Sequence, residues 1–245
     1  HADQLSTLLK TLLAMPRQEH SSLGRALALC VDAGGLDDET LWRYIAGDVA
    51  EADVLEYRFD KNLHCNPHEF GDVNNRFLMQ RMQASTALLN LAVGALEHWH
   101  RIESSRYSGS RSYRSGFLRE TSYERTHSQT GCRHVDSGHM LMNAIEAAIL
   151  HNATTNSDWW QLNRQRLCSS PEGALRYFAI QSCTAAPTSN LEEIGRMLRD
   201  VELLQSDLTF ELGALIKAAF VYFDDATQDA IQAAILDIYP ESITD

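Results

Sequence analysis

The chain has 245 residues, of which 44% are hydrophobic, with only 5 prolines and 13 glycines, a composition that excludes general disorder. Lys and Arg number 21 against 33 Asp and Glu, so the net charge of −12 disfavours binding to nucleic acid or anionic membranes wherever basic residues are not concentrated. The 5 cysteines are scattered and form no CxxC pair, which argues against a disulfide framework and favours a reducing, cytoplasmic setting. No apolar stretch approaches the roughly 18 residues of a membrane-spanning helix, so we expect no membrane insertion. Because the chain begins at His1 and not at Met, we expect a piece of a longer polypeptide.

Apolar residues spaced three or four positions apart predict helices along nearly the whole chain. We expect a first helix over 3–15 and a second over 22–33, which ends at a glycine pair suited to a helix C-terminus. Asp37 is placed to cap a third helix, with Leu36 and Leu41 forming a hydrophobic staple across the cap. These residues predict an N-terminal region of helical hairpins.

A longer helix is predicted over 72–103, with apolar residues in two neighbouring rows. Two rows indicate a helix with neighbours on more than one side, although one wide amphipathic face would give the same pattern. The first row comprises Leu78, Met82, Ser85, Leu89, Ala92, Leu96 and Trp99, and the second Phe77, Ala84, Leu88, Leu91, Ala95 and Ile102.

The following segment, 104–137, is rich in Ser, Arg, Tyr and Gly and poor in aliphatic residues. Such a composition cannot bury enough apolar area to fold by itself, so we expect a long polar excursion. The predicted organisation is therefore N-terminal hairpins and a long helix over 1–103, the excursion over 104–137, and a second helical region over 138–245.

Helix starts recur at a regular interval in the C-terminal region. We expect Leu141, Ala144, Ile145, Ala148 and Ile149 to face inward on a first helix, and Trp159 and Trp160 to open the next one between layers. Later start signals lie at Ser170, Ser189, Asp207 and Asp225, which are 19, 18 and 18 residues apart. Glu192 and Gln228 stand three positions after Ser189 and Asp225, at the spacing of capping boxes. This interval predicts antiparallel helical hairpins, with Leu191, Ile194, Leu198, Val201, Leu212, Leu215, Ile216, Ala219, Phe220, Ile231, Ala234, Ile235 and Ile238 facing inward.

In helix length and phase, residues 137–240 resemble an α-solenoid of the HEAT or armadillo kind. The resemblance implies an all-α fold of stacked antiparallel hairpins, solenoid-like or bundle-like, here with a long polar insertion. It also implies a binding, scaffold or sensor region of a larger protein, as found in bacterial multidomain ATPases, and it carries no catalytic residues.

Two clusters of His and Cys suggest a metal site as one alternative. Cys65 and His68 in one segment and Cys132 and His134 in the other would supply the four ligands of tetrahedral zinc. The competing interpretation is that Asn66 and Pro67 start a helix and that the two segments never meet.

A second alternative is a ribonuclease of the HEPN type. Arg133 and His139 precede and enter a helical run, as the Arg and His of the HEPN motif do. The resemblance implies that His139 acts as acid and base and that Arg133 holds the phosphate oxygens.

The excursion itself is a candidate binding segment, because over residues 104–135 its six arginines outnumber two glutamates and tyrosines are interleaved. Arginine with exposed aromatic rings suits phosphate contact and base stacking, whereas pairing with acidic helices of the same domain is the competing interpretation. The candidate residues are Arg106, Tyr107, Arg111, Tyr113, Arg114, Arg119, Tyr123 and Arg125.

We therefore expect a non-enzymatic helical-repeat domain that binds protein partners in the cytoplasm and needs no cofactor. Nucleic acid is a second possible partner, through residues 104–135. Residues 192–245 hold 12 acidic against 3 basic side chains, which predicts a solvated acidic face or a docking surface for a basic partner.

Overall fold

The computed structural model describes residues 3–4, 7–8, 11, 37–39, 41–42, 78–106 and 137–238. Every regular element in these ranges is a helix and none is a strand, which confirms the predicted all-α fold. The described residues fall into two compact units. The first contains those up to His98 and those from Ser137 to Ile145, and the second those from Trp99 to Arg106 and from Glu146 to Ile238. The predicted helix over 22–33, Leu36, Phe77 and most of the excursion lie outside the described residues, so the predicted domain boundaries stay predictions.

In the first unit, a serine interrupts the predicted long helix. Residues 78–84 are helical and α1 begins at Thr86 and ends at Arg106, with Ser85 between them. The Ser85 hydroxyl accepts the Leu88 N–H at 3.2 Å and lies 2.5 Å from the Asp38 carboxylate, which also pairs with Arg81 at 2.9 Å. By accepting the Leu88 N–H, the Ser85 hydroxyl caps α1, so a residue counted in the apolar row ends one helical segment and starts the next.

The helices of the first unit bury much of the apolar set expected from the sequence. On α1 and the preceding segment, Ala84 and Leu91 of the second predicted row are exposed instead, so that row lines the core only in part. Helix α2 comprises Ser137–Thr154, of which residues 137–145 belong to the first unit and 146–154 to the second, and all five of its predicted inward residues are buried. The buried side chains at these positions are Leu78, Met82, Leu88, Leu89, Ala92, Ala95, Leu96, Leu141, Ala144, Ile145, Ala148 and Ile149.

The second unit continues as a series of helices packed on one another. Helix α4 (Gly173–Ala185) packs against α3 (Asp158–Cys168) and α7 (Thr209–Ala219), and α8 (Asp225–Ile238) packs against α6 (Val201–Leu204), which confirms stacked helices in this part of the chain. The elements are α3 (Asp158–Cys168), α4 (Gly173–Ala185), a 3-10 turn (Pro187–Ser189), α5 (Leu191–Met197), α6 (Val201–Leu204), α7 (Thr209–Ala219), a 3-10 turn (Phe220–Tyr222) and α8 (Asp225–Ile238).

Helix α4 is the central helix of the second unit, because every residue from Gly173 to Ile180 is buried. A helix buried all round must place polar groups in the interior, and each needs a partner. Glu172, which is 1% exposed, caps α4 by accepting the Ala174 N–H at 3.2 Å, and its other carboxylate oxygen lies 3.2 Å from His100 Nδ1. Arg176 pairs with Asp200 at 2.5 Å.

One predicted helix is divided into two. The pattern from Leu191 to Val201 predicted a continuous helix, but α5 ends at Met197 and α6 begins at Val201. Asp200 causes the break, because its carboxylate accepts the Leu203 N–H at 3.2 Å, which caps α6, and simultaneously holds the buried Arg176. Val201 is consequently exposed and not part of the core.

The predicted inward faces of α7 and α8 are confirmed in part, and the predicted starts of α5 and α8 are each displaced by one residue. Asn190, and not Ser189, precedes α5, and the Asp224 carboxylate, and not that of Asp225, accepts an N–H of the first turn of α8. Of the predicted inward residues on α7 and α8, Leu212, Leu215, Ala219 and Ile231 are buried and Ile216, Phe220, Ala234, Ile235 and Ile238 are half-buried.

Two tryptophans fix α3 in the interior, as predicted. Trp159 and Trp160 are both buried, and the Ser157 hydroxyl caps the helix by accepting the Trp160 N–H at 3.2 Å. The Trp160 indole Nε1–H donates to Asn190 Oδ1 at 2.8 Å, which ties α3 to the start of α5. Arg164 adds a bond to the Ser189 carbonyl at 3.1 Å.

A pair of buried thiols joins α3 to α4. Cys168 and Cys183 are both free, and their Sγ atoms lie 3.8 Å apart. The hydrogen bond with Cys168, together with burial, raises the pKa of the Cys183 thiol well above its usual range. Cys183 is therefore protonated at neutral pH and behaves as a small, weakly polar core residue.

Within the parts of the chain that the structure describes, no helix combines the length and apolar character needed to cross a bilayer.

The contact between Trp160 and Asn190 is expected to contribute directly to the stability of the second unit. Trp160→Phe should lower the free energy of unfolding by about 2 kcal/mol, since it removes a buried hydrogen bond and leaves the Asn190 oxygen without its donor. Urea denaturation followed by circular dichroism of Trp160→Phe, Asn190→Ala and the double variant measures this. The double-mutant cycle should give a coupling of about 1 kcal/mol. Additive effects of the two substitutions would contradict this role.

Candidate binding cleft

The second unit contains a cleft of about 370 Å³ between α5 and the corner that joins α7 to α8. It lies wholly within this unit and combines two arginines, two aromatic rings and a glycine. Its lining residues are Leu191, Glu192, Gly195, Arg196, Arg199, Tyr222, Phe223, Asp224 and Thr227.

The α5 wall of the cleft is anchored from behind by the interior of the unit. Asn190, just before α5, accepts from the Trp160 indole and donates its amide to the Ala186 carbonyl at 2.7 Å. Glu193, buried on the inner side of α5, lies 3.5 Å from Arg164 of α3. These contacts fix the start of α5, so its outer side presents a preformed surface.

The opposite wall is a corner held by the first turns of α8. The Gln228 amide donates to the carbonyls of Phe220 and Phe223 at 3.1 and 2.9 Å. Asp224 Oδ1 accepts the Thr227 N–H at 2.7 Å. Hydrogen bonds that the backbone N–H and the side chain of Thr227 donate to it lower the pKa of the Asp224 carboxyl below its usual range. The ionised carboxylate therefore caps α8 and sets the position of the aromatic corner.

Gly195 forms the floor of the cleft and is itself buried beneath an aromatic ring and a guanidinium. A Cβ placed on Gly195 would lie 3.5 Å from the Phe223 ring and 3.9 Å from Arg199 Nη2. Both are ordinary van der Waals distances, so a methyl group would fill the floor without a clash. The glycine thus lets the Phe223 ring and the Arg199 guanidinium lie close to the helix backbone.

The two arginines of the cleft differ in their electrostatic state. Arg196 is paired with Glu192 and, at 3.2 Å, with Glu193. Arg199 is exposed and donates its Nε–H to the Gly195 carbonyl at 2.7 Å. Within the described residues no carboxylate lies within 4.0 Å of the Arg199 guanidinium. The cleft therefore holds one positive charge that the described residues do not neutralise.

These groups provide the chemistry of recognition: guanidinium donors for an anion and aromatic faces for apolar contact. No family model, no curated protein and no solved structure matches the chain. The interpretation of the cleft consequently rests on its own geometry.

The site residues predicted from sequence lie almost entirely outside the described residues. This holds for the zinc alternative of Cys65, His68, Cys132 and His134 and for Arg133 of the HEPN alternative. His139 lies in the first turn of α2 and Arg106 ends α1, and the structure describes only the backbone of each. Within the described ranges no group of three or more potential metal ligands comes together. The remaining excursion residues outside the described ranges are Tyr107, Arg111, Tyr113, Arg114, Arg119, Tyr123 and Arg125, and their roles stay predictions.

Sequence reasoning passed over the cleft because each of its residues has an ordinary role in a helical pattern. Gly195 in the middle of a predicted helix was the available signal, since glycine weakens a helix interior and often marks a close approach. The nearby Arg196 and Arg199 were counted only as basic residues of an acidic region.

The Asp224 cap is expected to titrate visibly. The pKa of the Asp224 carboxyl is lower in the folded chain than in the unfolded chain, where it is about 3.9. The cap therefore stabilises α8 fully above about pH 3.9, and this stabilisation is lost as the pH falls through the pKa of the folded state. In NMR pH titrations, the Thr227 amide proton should therefore move with a midpoint below the ordinary Asp range. Asp224→Ala should abolish this titration and increase hydrogen exchange in the first turn of α8, whereas Asp225→Ala should preserve the titration. A midpoint at or above the ordinary Asp value would show that the cap is absent.

Proposed function

We propose that this chain is a helical-repeat protein-interaction domain, a scaffold or sensor part of a larger assembly, and that the second unit contacts its partner at the cleft. The observation that carries the proposal is the combination, at the α7–α8 corner, of exposed apolar side chains with the Arg199 guanidinium. Val221 and Tyr222 are 74% and 52% exposed, and Tyr222 lines the cleft next to the half-buried Phe223. Isolated exposed apolar residues are common on protein surfaces, but here they adjoin a cleft with polar donors, as in protein interfaces.

The packing of the second unit supports the solenoid part of the proposal. Helix α4 contacts both α3 and α7, and short connections join successive helices, as in arrays of antiparallel hairpins. Such arrays present the outer surfaces of their helices to partners. The buried, reduced thiols of Cys168 and Cys183 suit a reducing compartment such as the cytoplasm.

The binding role of the cleft can be tested with a pair of glycine substitutions that both strengthen helices. Gly195→Ala adds a methyl to the cleft floor, whereas Gly213→Ala adds one to the exposed side of α7 with no atom within 4 Å. Each should stabilise its helix by up to about 1 kcal/mol, so a loss of binding cannot be attributed to unfolding. The full chain is immobilised and selected against a phage-displayed library of random peptides.

We expect selected peptides to bind Gly195→Ala about tenfold more weakly than wild type, a loss of about 1.4 kcal/mol, because the added methyl packs against the Phe223 ring and the Arg199 guanidinium, the two groups that meet the peptide. Binding to Gly213→Ala should equal that of the wild type, as measured by fluorescence anisotropy with synthetic peptides. If no peptide is enriched, or if Gly195→Ala binds all of them as well as wild type does, the cleft is not the contact surface.

A further inference from the structure

Arg199 carries the one positive charge of the cleft that is fixed in place and not neutralised by a carboxylate of the described residues. Its Nε–H is committed to the Gly195 carbonyl at 2.7 Å, which holds the guanidinium over the cleft floor. The two terminal amino groups remain available, and Nη2 lies 3.9 Å from the position a Gly195 Cβ would take. A guanidinium presents parallel donors at the spacing of two carboxylate oxygens, so this geometry favours a carboxylate ligand.

The surroundings restrict how many negative charges a ligand can carry. Arg196 is already paired with two glutamates, and Asp224 stands at the opposite wall as an ionised cap. Over residues 192–245 there are 12 acidic and only 3 basic side chains, so a polyanion such as a nucleic acid is repelled at long range. A ligand with a single carboxylate gains the contact with Arg199 and avoids most of this repulsion.

The remaining lining residues restrict what lies beside that carboxylate. Leu191 and Phe223 are half-buried and Tyr222 stands exposed at the rim, so the groups flanking the anion meet apolar and aromatic surface. Covering the guanidinium with apolar groups removes water from it, which strengthens its attraction for the carboxylate.

From this arrangement we propose that the cleft binds an apolar peptide segment of a partner protein that carries one acidic side chain, with Arg199 as the carboxylate anchor. This inference rests on the proposed function, because it names the chemistry of the partner at the same cleft.

The test uses the peptides selected on the wild-type chain. Their shared feature should be one Asp or Glu among apolar residues. For each peptide, replacing that residue by its amide, Asp by Asn or Glu by Gln, should weaken binding to the wild type about tenfold, in line with a charge-assisted hydrogen bond. On Arg199→Gln the acidic peptide and its amide counterpart should bind equally, and raising the salt concentration should weaken only the acidic peptide on the wild type.

Lys217→Gln is the matched control, because it removes the same charge from the exposed surface of α7, away from the cleft lining. It should leave the preference for the acidic peptide unchanged. If Gly195→Ala weakens selected peptides that contain no acidic residue, or if the acidic peptides bind equally as amides, the carboxylate anchor is overturned and the proposed interaction function stands. If Gly195→Ala has no effect on any peptide, the proposed function fails and the inference fails with it.

Binding of a uridine homopolymer to wild type but not to Arg199→Gln would overturn the peptide assignment in favour of phosphate.

Discussion

The second unit depends on the complete burial of α4. A helix with only one apolar side can rest on a single neighbour, but Gly173 through Ile180 face protein in every direction, so helices must surround them. Helices α3 and α7 provide that cover. Because interiors are close-packed, the positions of the surrounding helices are set by the side chains of α4 and not by the connecting turns. The outer surface of the unit, including the cleft, is therefore determined from within.

The polar groups buried by this arrangement are what orient the surface. Arg176 would be costly in the interior without a counter-charge, and its pairing with Asp200 places the break between α5 and α6. The break leaves α5 short, with Gly195 and Arg199 close to its C-terminal end. The Trp160 bond to Asn190 fixes the other end of α5. A buried charge and a buried indole thus determine where the cleft lies.

Helical periodicity predicted the all-α fold, the inward face of α2 and the burial of Trp160, because each depends on local spacing and apolar burial. It missed the division at Asp200, since that depends on Arg176, 24 residues earlier in the chain. The starts of α5 and α8 were each misplaced by one residue. Asp224 caps α8 in place of Asp225, and Asn190 precedes α5 without capping it, because its side chain bonds Trp160 and the Ala186 carbonyl. The cleft itself could not be predicted, because Gly195 and Phe223 meet only through tertiary packing.

The two walls of the cleft are supported by different amounts of buried side chain, and this difference affects how the cleft responds to a partner. Helix α8 has 14 residues, of which Ile231 alone is fully buried, whereas α4 is buried over most of its length. Local opening requires less free energy where fewer apolar contacts are lost, so α8 detaches more readily than the core behind α5. A partner that bridges both walls would therefore bind at the expense of ordering α8. Its affinity would depend on how often that helix is already closed.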